Sequence, residues 1–262
     1  MRKISAILFI VAACGSDSST KPDAPPVTPD VAVVPDAAPD AFVRVPDLSC
    51  LGNTPPSNAP ATVKLSGVAS DINLTTRMPE PVKDADVGAY RNNMKLTGAT
   101  TDAQGAFTLT VDNPSTLPIE GHIRAAKDGH RSLRLYPATP ITADLANAPL
   151  LLLSDDNFEF VRRYIAMKAQ DAGNGTVGLL VLDCTNQPVE GATISVKQGD
   201  VELATPLRTW EATALQAGTY LIFDVPPGET TVTATYNGMA FLGHDIGVVM
   251  ATTSTTAVRP GY

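Results

Sequence analysis

Pro81-Val82-Lys83-Asp84-Ala85-Asp86-Val87 returns 107 residues later as Pro188-Val189-Glu190-Gly191-Ala192-Thr193-Ile194. Two further pairs keep the same order. Asp102-Ala103-Gln104-Gly105-Ala106-Phe107 matches Leu215-Gln216-Ala217-Gly218-Thr219-Tyr220 at an offset of 113. Glu120 to Gly129 matches Glu229 to Gly238 at an offset of 109. Three ordered matches at nearly constant offset mark a duplicated unit.

Each copy reads as strands. Thr62 to Val68 alternates with the β period, and Ala106-Phe107-Thr108-Leu109-Thr110-Val111 puts Phe107, Leu109 and Val111 on one face. Tyr220 to Val225 and Thr231 to Tyr236 play the same part in the second copy. Turn residues separate them: Asp102 to Gly105, Asn186-Gln187-Pro188, Pro226-Pro227-Gly228 and Asn237-Gly238. Many short strands at regular spacing predict an all-β sandwich for each copy.

The order G-x-V, P-V-x-x-A-x-V, T-T-D-A-x-G-x-F, A-x-x-D-G resembles the carboxypeptidase regulatory-like, or transthyretin-like, β-sandwich superfamily, which includes collagen-adhesin B-type repeats. Gly67, Pro81, Ala85, Val87, Thr100 to Gly105, Phe107 and Gly129 carry it in the first copy. Gly178, Pro188, Ala192, Ile194, Gly218, Tyr220, Pro227, Gly228 and Gly238 carry it in the second. The resemblance implies two tandem Greek-key sandwiches of the transthyretin (prealbumin) type, over 50–153 and 175–262. On function it implies little, because such domains serve as stalks, adhesin repeats, receptor appendages and enzyme accessories. B-type repeats also often carry a Lys–Asn isopeptide bond driven by a buried acid. Lys64 stands at a plausible first-strand position, but the positions expected for the acid hold Ile123 and Val232, so no crosslink is expected.

Between the copies, residues 154–174 predict one short helix. Ser154 can cap it, Asp155 and Asp156 suit its positive end, and Phe158, Val161, Tyr164 and Ile165 follow a helical stripe ended by Gly173 and Gly175. A connector packed on one or both sandwiches is the expectation; a partner-binding helix is the other reading.

The N-terminal segment supplies an address. Arg2 and Lys3 precede an apolar run from Ile4 to Ala13, about ten residues against the roughly 20 that a spanning helix needs. Val11-Ala12-Ala13-Cys14 resembles a bacterial lipobox, which implies a signal peptide over 1–13 and lipid on Cys14, holding the chain to a membrane. Gly15 and Ser16 lack the aspartate that retains many lipoproteins at the inner membrane, so an outer-membrane lipoprotein, periplasmic or surface-exposed, is expected. Residues 14–49 then read as a disordered Pro/Asp-rich tether. Pro22, Pro25, Pro26, Pro29, Pro35, Pro39 and Pro46 exclude helix and central strand. An extended spacer at about 3.1 Å per residue reaches at most roughly 90 Å.

Charge narrows the partners. The chain carries a formal net charge of −8. An acidic chain without basic runs does not suit nucleic acid. An envelope polysaccharide or protein remains a candidate partner. With Cys14 lipidated, Cys50 and Cys184 form an even pair that suits a disulfide in an oxidising compartment; two unrelated thiols are the alternative.

The catalytic inventory is thin. No GxSxG, HExxH, phosphate-binding glycine loop or CxxC occurs. His122, His130 and His244 lack the spacing of a poised base and read as surface or edge-strand residues. Asp84/Asp86 and Asp155/Asp156 form no interlocked calcium loop. No enzyme activity and no cofactor or metal is expected. Trp210, placed in a long segment between strands with Arg208 and Glu211 near it, is the one candidate ligand contact, by stacking on a sugar; an edge plug of the core is the competing reading.

Overall fold

The computed structural model describes residues 44–262 except Arg77, Ala214 and Leu215. The lipobox, Cys14 and the tether up to residue 43 lie outside the described residues.

In the first repeat the strands are β1 (Thr62–Ile72), β2 (Pro79–Pro81), β3 (Asp86–Arg91), β4 (Met94–Thr100), β5 (Ala106–Asp112), β6 (His122–Ala126), β7 (Ser132–Tyr136) and β8 (Leu145–Leu151). β1 holds β5 antiparallel and β8 parallel, and makes a hairpin with β2. The order β4-β3-β6-β7 forms the facing layer. The alternation read from the sequence is what closes them together: Phe107, Leu109 and Val111 point inward and meet Val87, Ile123 and Leu133 in one buried cluster. Burial of such side chains contributes about 1.5–3 kcal/mol each.

Two glycines fix the geometry of this layer. Gly105 adopts φ +73° and a Cβ there would lie 2.3 Å from the Ala69 carbonyl oxygen, so the turn held by Asp102 accepts only glycine. Asp102 Oδ1 takes the amides of Gln104 and Ala106 at 2.9 and 2.8 Å. At Gly67 the neighbouring strand is the limit: β8 passes so close, beside a register shift, that a Cβ would sit 2.0 Å from Ala148 O.

The second repeat repeats the plan with β9 (Gly175–Val181), β10 (Thr193–Gln198), β11 (Val201–Glu202), β12 (Thr209–Glu211), β13 (Thr219–Val225), β14 (Gly228–Tyr236), β15 (Met239–Ala240), β16 (His244–Val248) and β17 (Thr252–Val258). Again the first strand pairs parallel with the final one, β9 with β17, and antiparallel with the strand of the glycine turn, β13. β10, β14 and β16 form the facing layer. In both repeats the chain crosses repeatedly between its two layers, as a Greek-key sandwich requires. The all-β expectation holds.

The sequence gives no hint of how the repeats join. They are expected as two sandwiches linked by a helix, yet they share a sheet. β17 lies parallel between β9 and β7, with Thr252 to Thr256 level with Ser132 to Tyr136. One eight-stranded sheet therefore runs β12-β13-β9-β17-β7-β6-β3-β4 through both repeats. The reason is the unpaired edge that each open sheet leaves. Two such edges satisfy one another's N–H and C=O groups.

The connector departs from the expected stripe. α1 (Asp155–Phe160) is capped by Ser154, whose Oγ accepts from Asn157 N at 3.4 Å, and continues as a π-helical turn over Val161–Ala166. The helix ends at Met167 in a left-handed conformation, φ 53°, not at Gly173 or Gly175. The wider turn rotates later residues away from the 3.6 spacing. Phe158, Val161 and Ala166 are buried, whereas Tyr164 and Ile165 face solvent. Phe158 and Ala166 pack on Phe223 of β13. Asn157 bonds Asp71 Oδ2 and the Ile72 carbonyl at the end of β1, so the connector touches both repeats.

Candidate functional site

Where the strands point decides what each end of the molecule carries. β9, β17 and β7 run parallel, so Cys184, Tyr262 and Pro137 follow their C-terminal ends on one side. The chain enters there as well. Cys50 is disulfide-bonded to Cys184 with Cα atoms 5.6 Å apart. Asp47 N donates to Asp183 Oδ2 at 3.1 Å, Cys184 N donates to Asp47 O at 2.9 Å, and Leu51 bridges to Gly261. The disulfide, read from cysteine count and compartment alone, pins the start of the described chain to the second repeat. At the opposite end His130 bridges to Ser154 and Asp155 N bonds Gly129 O, which places the connector helix there.

Beside the seam a cleft of about 960 Å³ opens, reaching from Pro137 and Tyr262 at the chain-entering end to Gly228 and Val249 near the start of β17. Glu120, His122, Arg134 and Tyr136 line it from the first repeat, Glu229 and His244 from the second. Glu120 and Glu229 are equivalent positions of the duplication, brought to one cavity by the shared sheet.

A ladder of rings crosses the seam. Tyr90 stacks on His122 with centroids 5.3 Å apart and planes within 7°, His122 meets Tyr136 at 4.9 Å, and Tyr136 meets His244 edge-on at 6.4 Å. His122 is 7% exposed, against the expected surface position, because Tyr90 and Tyr136 cover both its faces. Burial, reinforced by Arg134 and Arg124, lowers its pKa to about 4, so the imidazole is neutral at neutral pH. Burial also lowers that of His244, against the opposing pull of Asp245 and Glu120. His244 Nε2 is buried without a hydrogen-bond partner. His130 lies in the turn beside Asp128 with its Nδ1 3.2 Å from the Asp128 carbonyl. No nucleophile–base–acid relay joins these histidines in the hydrogen bonds of the described residues.

Trp210 sits on a strand, not in the expected loop. β12 pairs with β13, Trp210 opposite Leu221, at the edge of the eight-stranded sheet. It packs half-buried against the cluster of Phe158, Ala166 and Phe223. The structure does not bring Trp210 to the cleft. Lys64 is exposed while Ile123 and Val232 are buried. Among the described residues no group of three or more His, Cys, Asp or Glu is placed to hold a metal, and no helix is long and apolar enough to cross a membrane. The ring ladder was not legible in the sequence; the match of Glu120 to Glu229 marked the duplication and carried no indication of a cleft.

No protein-family model and no curated protein matches the chain. Among solved structures, the minor pilin GBS52 of Streptococcus agalactiae is 12% identical over 75% of this chain and 95% of that one, with a TM-score of 0.26. The shaft pilin of Lactobacillus rhamnosus GG is 13% identical over 77% and 98%, TM-score 0.24. The Bacillus anthracis TIE protein is 10% identical over 75% of this chain, which spans only 34% of that one, TM-score 0.25. Likeness at these scores carries no argument; the sandwich fold stands on the strand pairing described above.

Proposed function

We propose that the chain is a non-enzymatic envelope lipoprotein that presents two β-sandwich modules, 50–153 and 175–262, as one rigid body for a structural or adhesive role. The observation that carries this is the clamp at the chain-entering end. A tether that begins at Cys14 would deliver its load to Cys50, and the Cys50–Cys184 bond hands that load to the second repeat rather than to the first strand of the first. A disulfide suits an oxidising compartment, as the envelope is. The lipid anchor rests on the lipobox residues, with the outer membrane as the expected site.

Fractionation of a Gram-negative host expressing the chain, with mass spectrometry of the mature N-terminus, tests it. The expected result is an acylated Cys14 in the outer-membrane fraction, and a soluble chain for Cys14→Ala. An unprocessed leader on protein recovered from the cytosol would overturn it.

A second reading, a polysaccharide or peptide receptor, is favoured by the concave cleft built from both repeats. Its contacts would be Arg134 and Glu120 rather than Trp210.

A further inference from the structure

The cleft beside the seam holds polar groups that the fold leaves unused. His122 is more than nine-tenths buried and lines the cleft, yet it makes only ring contacts. Among the described residues neither of its ring nitrogens has a hydrogen-bond partner. A neutral imidazole carries one donor and one acceptor, and leaving both unused in a buried ring costs free energy that a ligand can return. Asn92, Glu120 and Glu229 line the same cleft and make no side-chain hydrogen bond or ion pair among the described residues. The Arg134 guanidinium is held only by Asn93 Oδ1, at 3.4 Å. A volume of about 960 Å³ stands at the upper end of the roughly 300–1,000 Å³ of ligand sites.

The chemistry of these groups selects the ligand. A carboxylate, a side-chain amide and a guanidinium each present two hydrogen-bonding atoms side by side, which matches neighbouring hydroxyls on a sugar ring. A hydroxyl is donor and acceptor at once, as the imidazole requires. Charge excludes acidic sugars: Glu120, Glu229 and Asp245 face one guanidinium, Arg134, and burial keeps His122 neutral. A peptide finds less to hold. β16 runs along the cleft, but its Gly247 carbonyl already accepts from Tyr136 Oη at 3.3 Å and from Ser254 Oγ at 2.8 Å, so no free row of backbone groups awaits an added strand. The apolar hollow beside His122, lined by Leu65, Tyr90 and Ile119, measures about 10 Å³, too small for a side-chain anchor.

We propose that this cleft binds a segment of uncharged, hydroxyl-rich glycan. One hydroxyl sits on the His122 imidazole, and its neighbours are shared between the Arg134 guanidinium and the carboxylates of Glu120 and Glu229, one from each repeat. The proposal rests on the receptor reading and deepens it by naming the class of ligand.

Saturation-transfer NMR and titration calorimetry on the full chain carrying Cys14→Ala test it. The probes are neutral hexasaccharides of glucose, mannose, galactose and N-acetylglucosamine, a hexasaccharide of galacturonic acid, and a random hexapeptide pool. Binding of a neutral oligosaccharide and rejection of the uronate are expected. His122→Phe, which keeps the ring stack, and Glu229→Gln, on the exposed rim, are each expected to weaken that binding about tenfold with an unchanged circular dichroism spectrum. Trp210→Ala, away from the cleft, is expected to leave it unchanged. Tighter binding of the uronate overturns the proposal, as does neutral-sugar binding indifferent to both cleft variants. Binding of peptides alone overturns the glycan and leaves the receptor reading standing. No binding of any probe at about 10 mM overturns both.

Discussion

Tyr136 belongs to β7 of the first repeat but is buried in the core of the second, where its hydroxyl donates to the Gly247 carbonyl at 3.3 Å. This one side chain reports whether the repeats are one cooperative unit. Replacing it by alanine removes a buried aromatic and leaves a cavity at the seam, at a cost of about 3 kcal/mol. Urea unfolding of Tyr136→Ala is expected to separate into two transitions where the parent shows one. Tyr136→Phe, which loses only the hydroxyl bond, is expected to cost about 1 kcal/mol and to keep a single transition.

Stability should fall as the medium turns acid. His122 has its pKa lowered from 6.5 to about 4 in the folded chain, between Tyr90 and Tyr136 and near Arg134 and Arg124. The unfolded chain therefore takes up a proton that the native chain refuses. The stabilisation is complete above pH 6.5 and is lost as pH falls to about 4, worth about 3 kcal/mol across that window. Urea midpoints at pH 7, 5.5 and 4.5 are expected to drop, and the drop to shrink in His122→Phe. An equal slope in parent and variant would place the acid sensitivity elsewhere.

The Cys50–Cys184 bond closes a loop of 134 residues. The chain-entropy treatment sets an upper limit of about 5 kcal/mol for a loop of that size, with 2–5 the usual observed loss. Cys50→Ser with Cys184→Ser is expected to melt lower by an amount in that range. Limited proteolysis of the variant should then cut near residues 45–55, where the strap loses its covalent hold.

Gly67→Ala is expected to be among the most damaging single-methyl changes in the first repeat. The added Cβ meets Ala148 O at 2.0 Å, so β8 would have to move away from β1. A loss of about 2 kcal/mol or more is expected by chemical unfolding. The same change at Gly129, where a Cβ would meet nothing within 4 Å, should cost less, its strain coming from φ +74° alone.

Much of the fold was legible because the signals were local. Phe107, Leu109 and Val111 alternate, Asp102 and Gly105 make a turn that few other residues can make, and the recurrence of Pro81-Val82 as Pro188-Val189 gives the duplication. The cap at Ser154 was equally local. What escaped was non-local or off the regular period. The pairing of Thr252–Val258 with Ser132–Tyr136 has no signature beyond two β-forming segments, and many segments qualify. The π turn after Phe160 broke the 3.6 spacing on which the placement of Tyr164 and Ile165 relied. Trp210 was misplaced because Thr209–Glu211 is too short a strand to show alternation. The His122 environment depended on the seam, so it could not be seen before the seam was.

Because Thr252–Val258 completes the first repeat's sheet as well as the second's, the order of synthesis matters. As the chain is synthesised N-terminus first, the first repeat can collapse around Phe107 and Ile123 but must wait with one edge bare until the final strand arrives. Such a wait is an opening for mispairing with a neighbouring nascent chain, whose own bare edge offers the same unpaired N–H and C=O groups.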